Sequence, residues 1–143
     1  MRPLYERQED RARQRQLIAF MQRERPDLQC VETEPQAPYD FAFTQHGKTV
    51  AIVEVKARQC AMHRFAYYMI GAAKVDTLRE LAREMPCAAY LLVGWPDGVG
   101  LLHLGEKTFR RSRNGRHDRN DPQDMELCEF IPLTAFRPLH KLK

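Results

Sequence analysis

The chain has 143 residues, 43% hydrophobic and 29% charged, with a net charge of +4 and a pI near 9.0. That length and balance fit a single soluble globular domain, 1–143, with a real hydrophobic core. No apolar run approaches the roughly 20 residues of a membrane span, and the polar start "MRPLYERQEDRARQRQ" excludes a signal peptide. Cys30, Cys60, Cys87 and Cys128 are widely spaced with no CxxC pair. They read as reduced thiols of a cytosolic protein, not as a zinc or disulfide framework.

Glu6 to Arg23 predicts a helix bounded by Pro3 and Pro26, with its apolar residues gathered late at Leu17, Ile18, Phe20 and Met21. "LQCVET" predicts a short strand and "EPQAP" a loop. "YDFAFTQHGKTVAIVEVKA" predicts two strands around a "QHGK" turn, where Gly47 supplies the positive φ a hairpin needs. After the linker "RQCAMHR", a second helix is expected from about Phe65 to Glu84, with Tyr67, Ile70, Lys74, Leu78 and Leu81 at helical spacing. "CAAYLLVGW" reads as a strand buried on both faces, "VGLLHL" as a fifth strand, 105–125 as an irregular basic loop, and "ELCEFIP" as a closing strand before the tail. The result is an α/β mixed sheet flanked by helices, with a core over about 6–95 and a C-terminal β extension within 126–143.

The second hairpin strand carries the chemistry. Alternate strand residues share a face, so Val50, Ile52, Glu54 and Lys56 point one way. A charged pair inside an apolar strand needs partners. Equal steps from Gly47 place Asp40 beside residues 54–56. Two carboxylates there suit a hard divalent cation such as Mg²⁺, and Lys56 is placed to orient a water or stabilise charge on a phosphate. An isolated Glu-x-Lys is also common on exposed strands, so the pattern gains force only with Asp40 and the following helix. Lys74 either snorkels from an apolar helix face or reaches the site or a phosphate. Tyr67 and Tyr68 read first as packing residues, with DNA contact the other reading of Tyr68. Arg110, Arg111, Arg113, Arg116 and Arg119 form a cluster suited to a polyanion, though solvated loops collect arginine too. The five histidines show no metal-ligand spacing.

"PYD", thirteen residues, then "EVK" resembles the PD-(D/E)xK nuclease superfamily, whose core is restriction-endonuclease-like with an αβββαβ order. "RQRQLIAFM" and "YYMIGAAKVDTLRELA" are similar to helices of archaeal Holliday-junction resolvases, and "GRHDRNDPQDMELCEFIPLTAFRPL" to the tail of small phage-encoded members. The resemblance implies a Mg²⁺- or Mn²⁺-dependent deoxyribonuclease in which Asp40, Glu54 and the Val55 carbonyl hold the metal and Lys56 is catalytic. It implies DNA as partner, allows a homodimer, and would place a phage-encoded protein in the host cytoplasm. Resolvases carry a metal-binding glutamate on the first helix. Here Gln14 aligns with it, with Glu9 (or Glu6) as the substitute. Because Leu17 and Met21 should face the core, Gln14 is expected nearer the carboxylates than Glu9. The rival reading is a non-catalytic DNA-binding or assembly protein that kept the nuclease fold.

Overall fold

The computed structural model describes residues 4–115 and 125–140, with side chains from residue 10 onward at the first helix. Helix α1 spans Leu4–Glu24, followed by strands β1 (Gln29–Glu32), β2 (Phe41–Gln45) and β3 (Lys48–Ala57). A short 3₁₀ turn, Met62–Arg64, leads to β4 (Tyr67–Gly71), helix α2 (Ala72–Glu84), β5 (Ala88–Trp95) and β6 (Gly98–His103). Strands β7 (Arg111–Gly115), β8 (Met125–Pro132) and β9 (Arg137–His140) complete the chain. Six strands form one sheet in the order β1-β2-β3-β5-β6-β9, and three form a second in the order β4-β8-β7. In the large sheet β3 and β5 are parallel while the other pairs are antiparallel, as the mixed α/β reading expects.

The local elements follow from local chemistry. His46 and Gly47 both have positive φ, 52° and 78°, which matches the strand twist at a two-residue hairpin turn. From that turn the register runs to Phe41 opposite Val53. Helix α1 covers one face of the sheet, packing Leu17, Ile18 and Met21 on Phe41, Phe43, Val53 and Val55. A β-carbon at Gly94 would collide with the side chain of fully buried Leu17, so only glycine lets α1 settle on β5. Helix α2 covers the other face with Val75 and Leu78 on Ile52, Leu91 and Val93. Each such fully buried aliphatic side chain contributes roughly 1.5–3 kcal/mol.

Three expectations are corrected. The second helix begins at Ala72, not Phe65, because Tyr67–Gly71 pairs with Cys128–Pro132 as β4. Its strand pattern shows in the burial of Tyr68 and Ile70 against the exposure of Tyr67 and Met69. Part of the expected irregular loop is strand: Arg111–Gly115 pairs with β8. The tail also adds β9 to the large sheet. The second sheet is fixed to α2 by a buried ion network. Glu129, 0% exposed, accepts from Arg79 at 3.1 and 3.3 Å, from Arg111 at 3.0 Å and from the Phe109 N–H at 3.3 Å. Among the described residues, no helix is long and apolar enough to cross a membrane.

Candidate active site

Parallel pairing to β5 on one side and the hairpin on the other hold β3 rigidly, and its Glu54 and Lys56 emerge on the α2 face. They line a cleft of about 450 Å³ together with Arg58, Tyr68, Lys74 and Glu126. Glu54 is the buried member, its side chain 5% exposed. Lys56 Nζ lies 3.5 Å from one carboxylate oxygen and Lys74 Nζ 3.3 Å from the other. The second of these, Oε1, is buried and accepts no hydrogen bond of good geometry, although it sits at ion-pair distance from Lys74. Burial first, and the nearby charge of Asp40 second, raise the Glu54 pKa above the ordinary carboxylate range, while Lys74 and Lys56 pull it back.

Asp40 is anchored just ahead of β2. Its N–H donates to the Val53 carbonyl at 3.0 Å, and its Oδ2 accepts from the Val55 N–H at 2.8 Å. The Thr33 N–H and hydroxyl both donate to the Asp40 carbonyl, at 3.0 and 2.8 Å. Lys74 also donates to the Pro38 carbonyl at 2.6 Å, tying α2 to the loop that presents Asp40. Asp40, Glu54 and Lys56 therefore converge at one end of the sheet.

From α1, Gln14 donates to the Val55 carbonyl at 3.5 Å, the long limit of a hydrogen bond. Its Oε1 accepts from Arg11 at 3.0 Å, and Arg11 in turn lies 3.7 Å from Asp40 Oδ1 and donates to the Thr33 carbonyl at 3.0 Å. Glu6 and Glu9 lie in α1, but their side chains fall outside the described residues, so the comparison with Gln14 rests there. Among the described residues there is no group of three or more acid, histidine or cysteine side chains suited to a metal. A cation here would have the Asp40 and Glu54 carboxylates, the Val55 carbonyl, and water or phosphate oxygens. The unbonded Glu54 Oε1 fits that use, because an ionised oxygen without a hydrogen bond in a buried position is costly.

Tyr68 does not offer its ring to a ligand. It is 3% exposed, packed edge-on against Trp95 and Phe136, and its hydroxyl accepts from Arg58 at 2.8 Å. Burial pushes its pKa up to about 12. Arg111 is likewise taken, by Asp76 at 2.6 Å and Glu129 at 2.9 Å, and these partners raise its pKa. Arg110 is exposed and lies over the Phe130 ring at 4.5 Å, and Arg113 is exposed on β7. Arg116 and Arg119 fall outside the described residues. Two further cations stand near the carboxylates, Arg58 in the cleft and Arg11 beside Asp40. Arg58 continues the alternate-residue face of Glu54 and Lys56, so the strand period marks it, whereas nothing in the local pattern marks Arg11.

A model of the family described as phage putative PDDEXK endonuclease matches residues 1–139. No curated protein matches the chain. Among solved structures, the chain is similar to Hjc of Archaeoglobus fulgidus, a Holliday junction resolvase from an archaeal hyperthermophile. The identity is 15%, over 64% of this chain and 73% of that one, with a TM-score of 0.48.

Proposed function

The chain belongs to the phage PDDEXK endonuclease family, and on that premise we propose that it hydrolyses DNA phosphodiester bonds with a divalent metal, Mg²⁺ or Mn²⁺, at Asp40 and Glu54. The observation that carries this reading is the convergence of Asp40, Glu54 and Lys56 at one sheet end, with a buried Glu54 oxygen left without a hydrogen bond. When bound, the metal would lower the pKa of a water and offset charge gathering on the phosphate. Asp40 is pre-oriented for this by the Val55 N–H, and the two lysines beside Glu54 offset part of the rise in its pKa that burial and Asp40 cause. Lys56, its side chain 42% exposed, opens on the cleft, where its ammonium can orient the attacking water and stabilise the transition state. Lys74 and Arg58 line the same cleft and would hold the backbone phosphates, contacts that position DNA without reading sequence. Branched recombination or replication intermediates are the substrates we favour.

The test is a panel of linear, circular, branched and single-stranded DNAs with Mg²⁺ or Mn²⁺ against EDTA. Cleavage should require metal, and Lys56→Ala should lower it roughly 10²–10⁴-fold while DNA binding stays near wild type. No cleavage of any substrate with either metal would overturn the proposal. One observation favours the second reading, a non-catalytic DNA-binding protein of the same fold. Arg11 stands beside Asp40, and Gln14 brings a neutral amide where resolvases carry an acid. Calorimetric titrations with no metal binding either to the free protein or to its DNA complex would decide for it.

A further inference from the structure

We propose that the groove next to the cleft stacks an unpaired nucleotide of the substrate, so that preferred DNA carries single-stranded or extrahelical bases beside the scissile phosphate. The inference rests on the nuclease reading and names its substrate class. The groove has a volume of about 620 Å³, within the range of sites that enclose small ligands. Its floor is the outer face of the second sheet, where Met69 pairs with Phe130 across β4 and β8. Its apolar side chains are unusually open to solvent, with Phe65 61%, Tyr67 47% and Met69 40% exposed.

Charge and continuity indicate the occupant. Among the described residues no acidic side chain lines the groove, whereas Arg58 and Arg110 do. Arg110 lies 4.5 Å from the Phe130 ring centre and 5.7 Å from that of Tyr67. Aromatic faces interleaved with arginines are the chemistry that takes up bases and their phosphates together. The groove shares Arg58, Tyr68 and Met69 with the active-site cleft. Arg58 is fixed at that boundary, donating to the Tyr68 hydroxyl at 2.8 Å and to the Met69 carbonyl at 3.4 Å. A strand whose phosphate lies at Glu54 and Lys56 therefore meets a cation and then an aromatic platform. Duplex DNA hides its base faces in the stack, and only unpaired bases can use such a platform.

The test measures binding by fluorescence anisotropy in EDTA, so that cleavage does not intervene. Two DNAs are compared, a blunt duplex and the same duplex with a short single-stranded tail holding an adenine analogue quenched by stacking. Wild type should prefer the tailed DNA and quench the analogue. The double variant Phe65→Ala, Tyr67→Ala should bind tailed DNA roughly tenfold to a hundredfold more weakly, bind blunt DNA as before, and not quench. Tyr67→Phe keeps the ring and should behave as wild type. Should the double variant melt early, Phe65→Ala alone, at the most exposed position, carries the comparison. Equal losses on both DNAs, or quenching that persists in the double variant, would overturn the inference. So would a wild-type dimer that the double variant dissolves in sedimentation with DNA affinity unchanged, which would make the groove an interface between copies. A wild-type protein that cleaves but shows no preference for tailed DNA sinks this inference alone, and a wild-type protein that prefers tailed DNA but does not cleave sinks only the nuclease reading.

Discussion

Replacing Glu129 by glutamine tests whether the second sheet, which forms the groove and one wall of the cleft, is held by the buried ion network. Glu129 is fully buried, and the two guanidiniums it neutralises are 6% and 22% exposed at Arg79 and Arg111. Four donors reach its carboxylate, at 3.0 to 3.3 Å. Glutamine keeps the shape and one acceptor oxygen but removes the charge and turns an amide N–H₂ toward cations. Asp76, 58% exposed, would be left to balance both arginines. Removing one member of a buried pair costs about 3–5 kcal/mol, a large share of the roughly 5–15 kcal/mol of a typical domain. Arg79 also donates to the Gly105 and Lys107 carbonyls, at 2.8 and 2.6 Å, so Arg79→Met should cost at least as much. Together, Arg79→Met and Glu129→Leu should cost less than the sum, because neither leaves the other's charge stranded. Urea unfolding of wild type, Arg79→Met, Glu129→Leu and the double variant measures the coupling, and Glu129→Gln is unfolded beside them. A loss under about 1 kcal/mol for Glu129→Gln, or strict additivity, would refute the reasoning.

Glu54→Gln should stabilise the metal-free protein near neutral pH while abolishing cleavage. A carboxylate whose folded pKa is raised contributes stability below its unfolded pKa and loses it as pH rises through the folded one. The gain seen in melting temperature should therefore vanish at pH below the ordinary carboxylate range, and a gain that grows there would contradict the sign. Gly94→Ala should cost about 1–3 kcal/mol by overpacking against Leu17, and Leu17→Ala should cost less in that chain than in wild type when both are measured in urea. Gln14→Glu should tighten Mg²⁺ binding roughly tenfold by calorimetry, the scale of groups that support ligands, and unchanged affinity would remove Gln14 from the metal's surroundings.

What the sequence revealed was whatever its neighbours in the chain decide. The hairpin, with Gly47 at its turn and Asp40 carried back beside Glu54, depends on contacts between adjacent strands. The run "YYMIGAAKVDTLRELA" satisfied a helical period and a strand period at once. Its first part became β4 because of β8, far along the chain, where Tyr68 meets Ile131 and Ile70 meets Glu129. The same distant strand hid the role of Arg79, which reads as one more polar residue of an amphipathic helix until Glu129 arrives above it. It also turned Arg111 from a phosphate candidate into a structural partner.

At the candidate site the consequence is one of charge. Two carboxylates, Asp40 and Glu54, face three cations, Arg11, Lys56 and Lys74. These five side chains alone carry a formal charge of plus one, and Glu32, 3.5 Å from Arg11, offsets part of it. On the nuclease reading, a site whose carboxylates are already paired with cations would take a phosphodiester more readily than a free divalent cation. On the same reading, Asp40 and Glu54 would hold the metal, and Lys56 and Lys74, now paired with Glu54, would be free to turn to the phosphate. Reciprocal strengthening of metal and DNA binding follows from that exchange of partners, and it gives Gln14 a physical meaning beyond a lost ligand. The neutral Gln14 accepts from Arg11, which stays beside Asp40, and on that reading the metal would bind more tightly once DNA is present.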